Sequence, residues 1–301
     1  MPEYPDIVVY IERLRHFIQG QTLDRVRVAH LFLLRTATPP VTSLEGRTLR
    51  AIERMGKRIV FDFDADHFLI LHLMIHGRLG WYEQGRKVPA KGWLAALNFA
   101  SGTLLITETS KQKRASLHLV CGREALADFE RGGLEVMDAT VADFRAALKA
   151  ENHTLKRALT DQRIFSGIGN AYSDEILHRA RLSPFLLTKS LTDVQVGQLF
   201  EATKAVLVEW TERLRDEAGD GFLTKVTAFH EAMAVHGRYG QPCSVCGTKV
   251  QRIRYATNET NYCPHCQTED RLLADRALSR LLKEDWPRTL EELEERRVGG
   301  K

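Results

Sequence analysis

Four cysteines set in two pairs, Cys243-x-x-Cys246 and Cys263-x-x-Cys266 with 16 residues between them, constrain this chain more than any other feature. Two such pairs place four thiolates on two facing knuckles, the tetrahedral arrangement that Zn²⁺ takes in structural sites. Four reduced, unliganded thiols are the competing reading. The intervening Lys249–Tyr262 reads as a β-hairpin with Thr257-Asn258-Glu259 near its turn. All four ligand positions are sulfur, so the expected single zinc is structural, with no open position for catalysis. A rigid hairpin of this kind presents a surface and carries no chemistry of its own.

The fifth cysteine, Cys121, closes a strand-like run and reads as a small buried side chain. Five cysteines are too few and too clustered for a secreted disulfide framework. No apolar run reaches the roughly 20 residues that span a bilayer, and no apolar signal peptide precedes the first charged residues. A cytoplasmic protein with no membrane partner is therefore expected. The net charge of +4 and pI near 8.8 permit a nucleic acid as partner without requiring one.

The chain changes character along its length. Residues 7–19 have helical spacing, with Ile7, Ile11, Leu14 and Ile18 on one face and Gly20 as the stop. Residues 21 to 120 hold short β runs: Leu23–Val28, Thr48–Arg54, Ile59–Phe63, Phe68–Leu73, Leu94–Phe99, Leu104–Thr107 and Ser116–Val120. Such spacing suits a sandwich or a barrel. Beyond residue 130 the pattern is helical, over Asp138–Leu148, Thr154–Asp161, Asn170–Ala180 and Thr192–Glu217, the last capped by Thr192 or Asp193 and ended by Gly219-Asp220-Gly221. The tail from Gln267 is helical again, with Leu272, Leu273, Leu278, Leu281 and Leu282 on one side. Trp286-Pro287 breaks it, and Thr289 with Glu292 forms a capping box. Its nine acidic and eight basic side chains exclude a basic DNA-binding arm. Packing on the protein's own surface is the expected role of those leucines.

Three further stretches carry potential chemistry. The chain begins Met1-Pro2-Glu3-Tyr4-Pro5-Asp6. Removal of Met1 would expose a secondary amine, and a free α-amine has a pKa near 8, so part of it is unprotonated and nucleophilic at neutral pH. Glu3 beside it could move a proton. An ordinary N-terminus with two turn-forming prolines fits the same six residues. Phe165-Ser166-Gly167-Ile168-Gly169-Asn170 lies between two helical segments, where closely spaced glycines before a helix start suit an anion, with Lys156 as a possible charge. A packing turn explains it equally well. Arg54-Met55-Gly56-Lys57-Arg58 and Lys111-Gln112-Lys113-Arg114 are cationic runs at strand junctions that could track a phosphate backbone.

Taken together in this order, the parts resemble the Fpg/Nei family of DNA glycosylases, over residues 1 to 267. The resemblance implies an α+β, multi-domain protein: a catalytic β-sandwich with an N-terminal helix (1–130), a helix–two-turn–helix DNA-binding domain (131–240), a zinc finger (241–267) and a helical extension (268–301). It implies that the Pro2 amine attacks C1′ of a damaged nucleoside, that Glu3 is the general acid/base, and that the resulting Schiff base breaks the strand by β,δ-elimination. Lys57 matches a lysine that holds a phosphate near the lesion. Lys156, Gly167, Gly169 and Asn170 match the helix–two-turn–helix phosphate site, and Glu175 matches a family glutamate that could support catalysis. Arg58, Lys111 and Lys113 are added as DNA contacts.

The chain departs from the family pattern at several places. Asp6 stands where Glu is usual. Ile75, in His72-Leu73-Met74-Ile75-His76-Gly77, takes the place of a methionine that fills the vacated base stack. Glu108-Thr109-Ser110-Lys111-Gln112-Lys113 replaces a loop with an arginine and an aromatic wedge, and Asn258 replaces an arginine that clamps phosphates. Gly219–His236 is too short for the loop that covers an oxidised purine. The resemblance thus implies a monomeric bacterial base-excision enzyme, acting at the nucleoid on oxidised bases or abasic sites in duplex or single-stranded DNA. A non-catalytic DNA-structure-binding protein on the same scaffold, and a glycosylase for bulky or crosslinked adducts, are the alternatives.

Overall fold

The structure, a computed structural model, describes residues 1–221, 223, 230–254, 258–274 and 287–299, with no side-chain detail at 294 and 296–299. Leu278, Leu281, Leu282, Trp286 and Thr257 lie outside the described residues, as does much of Gly219–His236. Chain packing forms two compact units, Met1–Gly132 with Leu207–Thr227, and Gly133–Val206 with Ala228–Lys301. The boundaries expected at 240 and 267 fall inside the second unit.

In the first unit α1 (Tyr4–Ile18) precedes eight strands: β1 (Leu23–Val28), β2 (Leu49–Met55), β3 (Arg58–Phe63), β4 (His67–His72), β5 (Gly77–Glu83), β6 (Trp93–Phe99), β7 (Gly102–Glu108) and β8 (Ser116–Cys121). They form two four-stranded antiparallel sheets, β1-β6-β7-β5 and β2-β3-β4-β8. Both sheets and α1 share one apolar core, with Ile7, Tyr10, Leu14, Phe61, Leu71, Leu97 and Leu117 fully or almost fully buried. Each such side chain contributes about 1.5–3 kcal/mol by leaving water, so the sandwich rests on its interior. Arg15 fastens α1 to β2 by donating from Nε and Nη2 to the Ile52 carbonyl (3.0 and 2.6 Å).

The strand β5 is absent from the sequence reading. Gly77, Gly80 and Arg78 mask its Leu79/Trp81 alternation, yet it pairs with β7 along its whole length, from Gly77↔Glu108 to Glu83↔Gly102. The outer face of β3 and β4 is covered by the 3₁₀ turn Arg123–Phe129, where Leu126 and Phe129 meet Val60, Phe68 and Ile70. Cys121 is exposed at the end of β8, correcting the expectation of a buried thiol: the strand end carries it past the covering turn.

The second unit holds α2 (Val141–Ala150), α3 (Leu155–Thr160), α4 (Asn170–Arg179) and the first part of α5 (Asp193–Ala218); Phe144 of α2 stacks on Phe165 and tilts against Phe200 of α5 at ring separations of 4.6 and 5.4 Å. Thr140 caps α2 through the Asp143 N–H (3.2 Å), and Thr192, not Asp193, caps α5 through the Gln195 N–H (3.2 Å). From Leu207 onward α5 belongs to the first unit, and Arg215 pairs there with both oxygens of Glu12 (2.8 and 2.7 Å). The hairpin β9 (Gln251–Arg254) and β10 (Glu259–Tyr262), with α6 (Pro264–Thr268), follows. The final helix, α7, spans Leu290–Gly299. Thr289 accepts from the Glu292 N–H (3.3 Å), while the Glu292 carboxylate takes the Arg288 N–H (2.7 Å).

Candidate active site

The N-terminus is a buried, charged corner of the first unit. Pro5 in the first turn presets α1, and Glu3 is its N-cap. The Glu3 N–H donates to Asp6 Oδ2 (2.9 Å) and the Glu3 side chain accepts from the Asp6 backbone N–H in return, so the two residues form a reciprocal capping box. Pro2, Glu3 and Asp6 are all buried. The two-residue turn Gly56–Lys57 between β2 and β3 brings in Lys57, also buried, and Arg54 covers the Tyr4 ring at 4.6 Å. The chain's α-amine is surrounded by these groups. Burial depresses its pKa below the usual 8.0, Glu3 and Asp6 oppose the fall, and Arg78 and Lys57 add to it. The Tyr10 hydroxyl, shut in by burial and facing Asp6, is held well above its ordinary value.

Around this corner the ends of several strands meet. The tight turn Leu73–Gly77 closes with Gly77 N–H to the Leu73 carbonyl (2.9 Å). A Cβ at Gly77 would lie 2.2 Å from that same oxygen, so only glycine fits. The turn leaves Ile75 43% exposed, and Arg78 reaches back to the carbonyls of Gly77 (2.6 Å) and Ile75 (3.2 Å). Arg58 donates to the Phe129 carbonyl (3.0 Å) and faces His72 across β3–β4. Burial and the charges of Arg58 and Lys57 push His72 down to about 4, so it is a neutral imidazole at pH 7. His72 and Lys57 are 15 residues apart in the sequence, so their nearness comes from the strand pairing and is not a local pattern.

The loop after β7 is organised by Glu108, whose buried carboxylate accepts the N–H groups of Arg114 (2.9 and 3.1 Å) and Ala115 (3.1 Å). Lys113 bonds back to the Glu108 carbonyl, whereas Lys111 is exposed. The two lysines therefore differ: one buttresses the loop and the other presents charge.

In the second unit the glycine turn precedes α4 with Gly169 as N-cap. Gly167 adopts φ +82° and its N–H donates to Gln162 Oε1 (3.0 Å), so this amide serves the turn itself. Asn170 is half-buried at the helix start. Lys156 turns inward: its Nζ donates to the Asn170 carbonyl (2.7 Å), Ser173 Oγ (2.8 Å) and Asp174 Oδ1 (2.6 Å). Its charge is thus neutralised beneath the turn by a carboxylate that the sequence reading had not paired with it. Asp174 Oδ2 accepts from His236 Nδ1 (2.7 Å) and from Asn261 N and Nδ2 (3.1 and 3.3 Å). Burial alone would raise Asp174, but Lys156 and His236 hold it below the ordinary carboxylate value. Glu175 accepts three backbone N–H groups, from Ala234 (2.7 Å), Val235 and His236 (both 3.0 Å). Adjacent carboxylates on α4 thus hold the strap that leads into the hairpin and the hairpin itself.

The four cysteine sulfurs lie within 4.8 Å of one another, with Cys243–Cys266 at 4.0 Å and Cys246–Cys263 at 3.4 Å. A tetrahedron with Zn–S bonds of about 2.3 Å has edges of about 3.8 Å, so the donor set fits zinc. These residues hold one structural zinc ion. His178 of α4 reaches Cys243 Sγ with Nε2 at 3.3 Å, tying the helix to the metal knuckle. Asn258 is exposed immediately before β10.

Residues 1–118 match the formamidopyrimidine-DNA glycosylase N-terminal domain, 134–217 the formamidopyrimidine-DNA glycosylase H2TH domain, and 240–268 the zinc finger found in FPG and IleRS. The chain belongs to the formamidopyrimidine-DNA glycosylase family. It is 33% identical over 282 residues to the formamidopyrimidine-DNA glycosylase of Thermus thermophilus, covering 89% of this chain and 99% of that one. An uncharacterized formamidopyrimidine-DNA glycosylase-like protein of Mycobacterium tuberculosis is 40% identical over 151 residues, half of this chain and 94% of its own. The structure of Lactococcus lactis Fpg in complex with a FAPY-dG containing DNA superposes with a TM-score of 0.78 at 26% identity, covering 88% of this chain and all of that one. The protein is accordingly a DNA-repair glycosylase. The matched zinc-finger segment contains all four clustered cysteines. The tail beyond residue 268 lies outside all three matched segments.

Proposed function

We propose that the protein is a bifunctional DNA glycosylase and abasic-site lyase acting on damaged DNA through an N-terminal proline. Removal of Met1 passes the buried N-terminal environment to the Pro2 amine. The unprotonated amine attacks C1′, the C1′–base bond breaks as the base takes a proton delivered from the enzyme, the attacking nitrogen loses its own proton, and opening of the C1′–O4′ bond leaves an iminium linking Pro2 to the ring-opened sugar. Loss of a C2′ proton expels the 3′ phosphate, and a second elimination expels the 5′ phosphate. Glu3 is the general acid/base, Lys57 and neutral His72 hold phosphate oxygens, and Arg58 and Lys111 add charge along the backbone. Asp6 and Glu175 are positioning residues: one fixes the Glu3 backbone, the other fixes the strap at 234–236. Gly169 and Asn170 take a phosphate at the start of α4, with Asn258 contributing from the hairpin, while Gly167 shapes the turn that presents them.

The observation that carries this reading is that the Met1 α-amine, one residue from Pro2, is desolvated and feels two buried carboxylates, Glu3 and Asp6, and two cations, Arg78 and Lys57. The altered wedge loop and Asn258 support oxidised bases or abasic sites outside the purine-specific class, in duplex or single-stranded DNA. A monomer working in the bacterial cytoplasm fits that role. Borohydride reduction in the presence of an oligonucleotide with one abasic site tests the reading. A covalent adduct is expected from protein lacking Met1, and none from Pro2→Gly; absence of an adduct from the processed wild type removes the lyase assignment.

A further inference from the structure

Two large apolar side chains, Leu31 and Phe32, are 79% and 74% exposed on a 3₁₀ turn, Leu31–Leu33. The turn is built, not loose. Leu33 is buried in the sandwich core, Ala29 and His30 donate to the Leu94 carbonyl at the start of β6 (2.9 and 3.2 Å), and Arg35 donates to the Leu117 carbonyl of β8 (2.9 Å). Strand register places this turn. Leu34 pairs in parallel with Leu117, and Thr36 accepts from the Leu119 N–H (2.8 Å), so Leu33 to Leu31 run back toward Ser116 and the cationic 111–114 loop. On its other side, Trp93 pairs with Thr107 at the end of β7, and Glu108 pairs with Gly77 beside Ile75. Leu31 and Phe32 therefore share one edge of the sandwich with Lys57, His72, Ile75 and Lys111.

We propose that Leu31 and Phe32, with Ile75, form the apolar wedge that this chain inserts into the base stack at a lesion. The inference rests on the glycosylase reading above and names the part missing from the 108–113 loop. Contiguous apolar side chains exposed on a soluble domain mark a binding surface. Here the surrounding charge selects the occupant: Arg35, Lys111 and Arg114 are exposed cations bordering the turn, the combination that suits stacked bases held by a phosphate backbone. Phe32 offers a π-face to a base, and Leu31 and Ile75 fill the vacated volume.

The test measures binding to two duplexes, one intact and one with a central tetrahydrofuran site, which mimics an abasic sugar but forms no iminium. Wild type is expected to prefer the tetrahydrofuran duplex. Leu31→Ala/Phe32→Ala is expected to lose roughly tenfold or more of that preference, with Phe32→Trp retaining it and Lys111→Ala weakening both duplexes alike. Undiminished preference in the double variant overturns the wedge, as does a wild type with no preference. Because the probe cannot be trapped, this outcome is separate from the fate of the Pro2 assignment, which the abasic-site adduct reads alone.

Discussion

Glu3 and Asp6 divide the work of one corner. Asp6 holds the backbone of Glu3, so Asp6→Ala is expected to cost about 1 kcal/mol of stability, as loss of a cap does, and to lower adduct formation through misplacement. Glu3→Gln, by contrast, should lower base excision by roughly 10²–10⁴-fold while leaving the thermal midpoint in place. The pH dependence follows from the amine. Burial lowers the Met1 α-amine below 8.0, and Pro2 is buried in the same corner. Adduct formation by protein lacking Met1 should rise with pH with its midpoint below pH 8, and a rise centred at or above pH 8 would show a solvated amine. At the rim, Gly77→Ala forces a Cβ to within 2.2 Å of the Leu73 carbonyl. The turn must open, with an expected loss of about 1–3 kcal/mol by chemical denaturation.

Among the elements, α4 and the cysteine hairpin carry the most specific expectations. Asp174→Asn leaves the Lys156 ammonium buried without its counter-charge, so about 3–5 kcal/mol of the second unit's stability should be lost. The folded pKa of Asp174 is depressed, so its contribution is present above the ordinary value of 3.8 and disappears as pH falls through the lower folded value. Wild type should lose stability on that acid limb and Asp174→Asn should lack it, as urea midpoints across the acid range would show. Zinc extraction by a chelator should unfold the hairpin, seen as loss of the 1:1 metal content together with hydrogen-exchange protection over 243–266.

These elements also show what a sequence can display. The cysteine spacing is a local pattern that points to a metal, and the helices announce themselves by caps such as Thr140 and Thr192. The pairing of Lys156 with Asp174 is not local: 18 residues and a glycine turn separate them, and nothing in either stretch states that the lysine points inward. β5 was hidden because its glycines read as breakers, although pairing with β7 makes them strand residues. Leu31 and Phe32 continue into Leu33 and Leu34 as one apolar run, and only their exposure distinguishes them from Leu33.

At the scale of the molecule, the first unit holds the amine, its carboxylates and its cations, and the second holds the glycine turn and the zinc. The N-terminal motif was legible because it sits in six consecutive residues. Its burial was not, because Lys57 and Arg78 arrive from two different turns. The account stands on Pro2 as the nucleophile. The most direct measurement is peptide mapping by mass spectrometry of the borohydride-trapped adduct formed with an abasic-site oligonucleotide. The account predicts that Met1 is absent and that the sugar remnant is carried on the nitrogen of Pro2. A remnant on a lysine, Lys57 included, or an adduct formed with Met1 still in place, would contradict it.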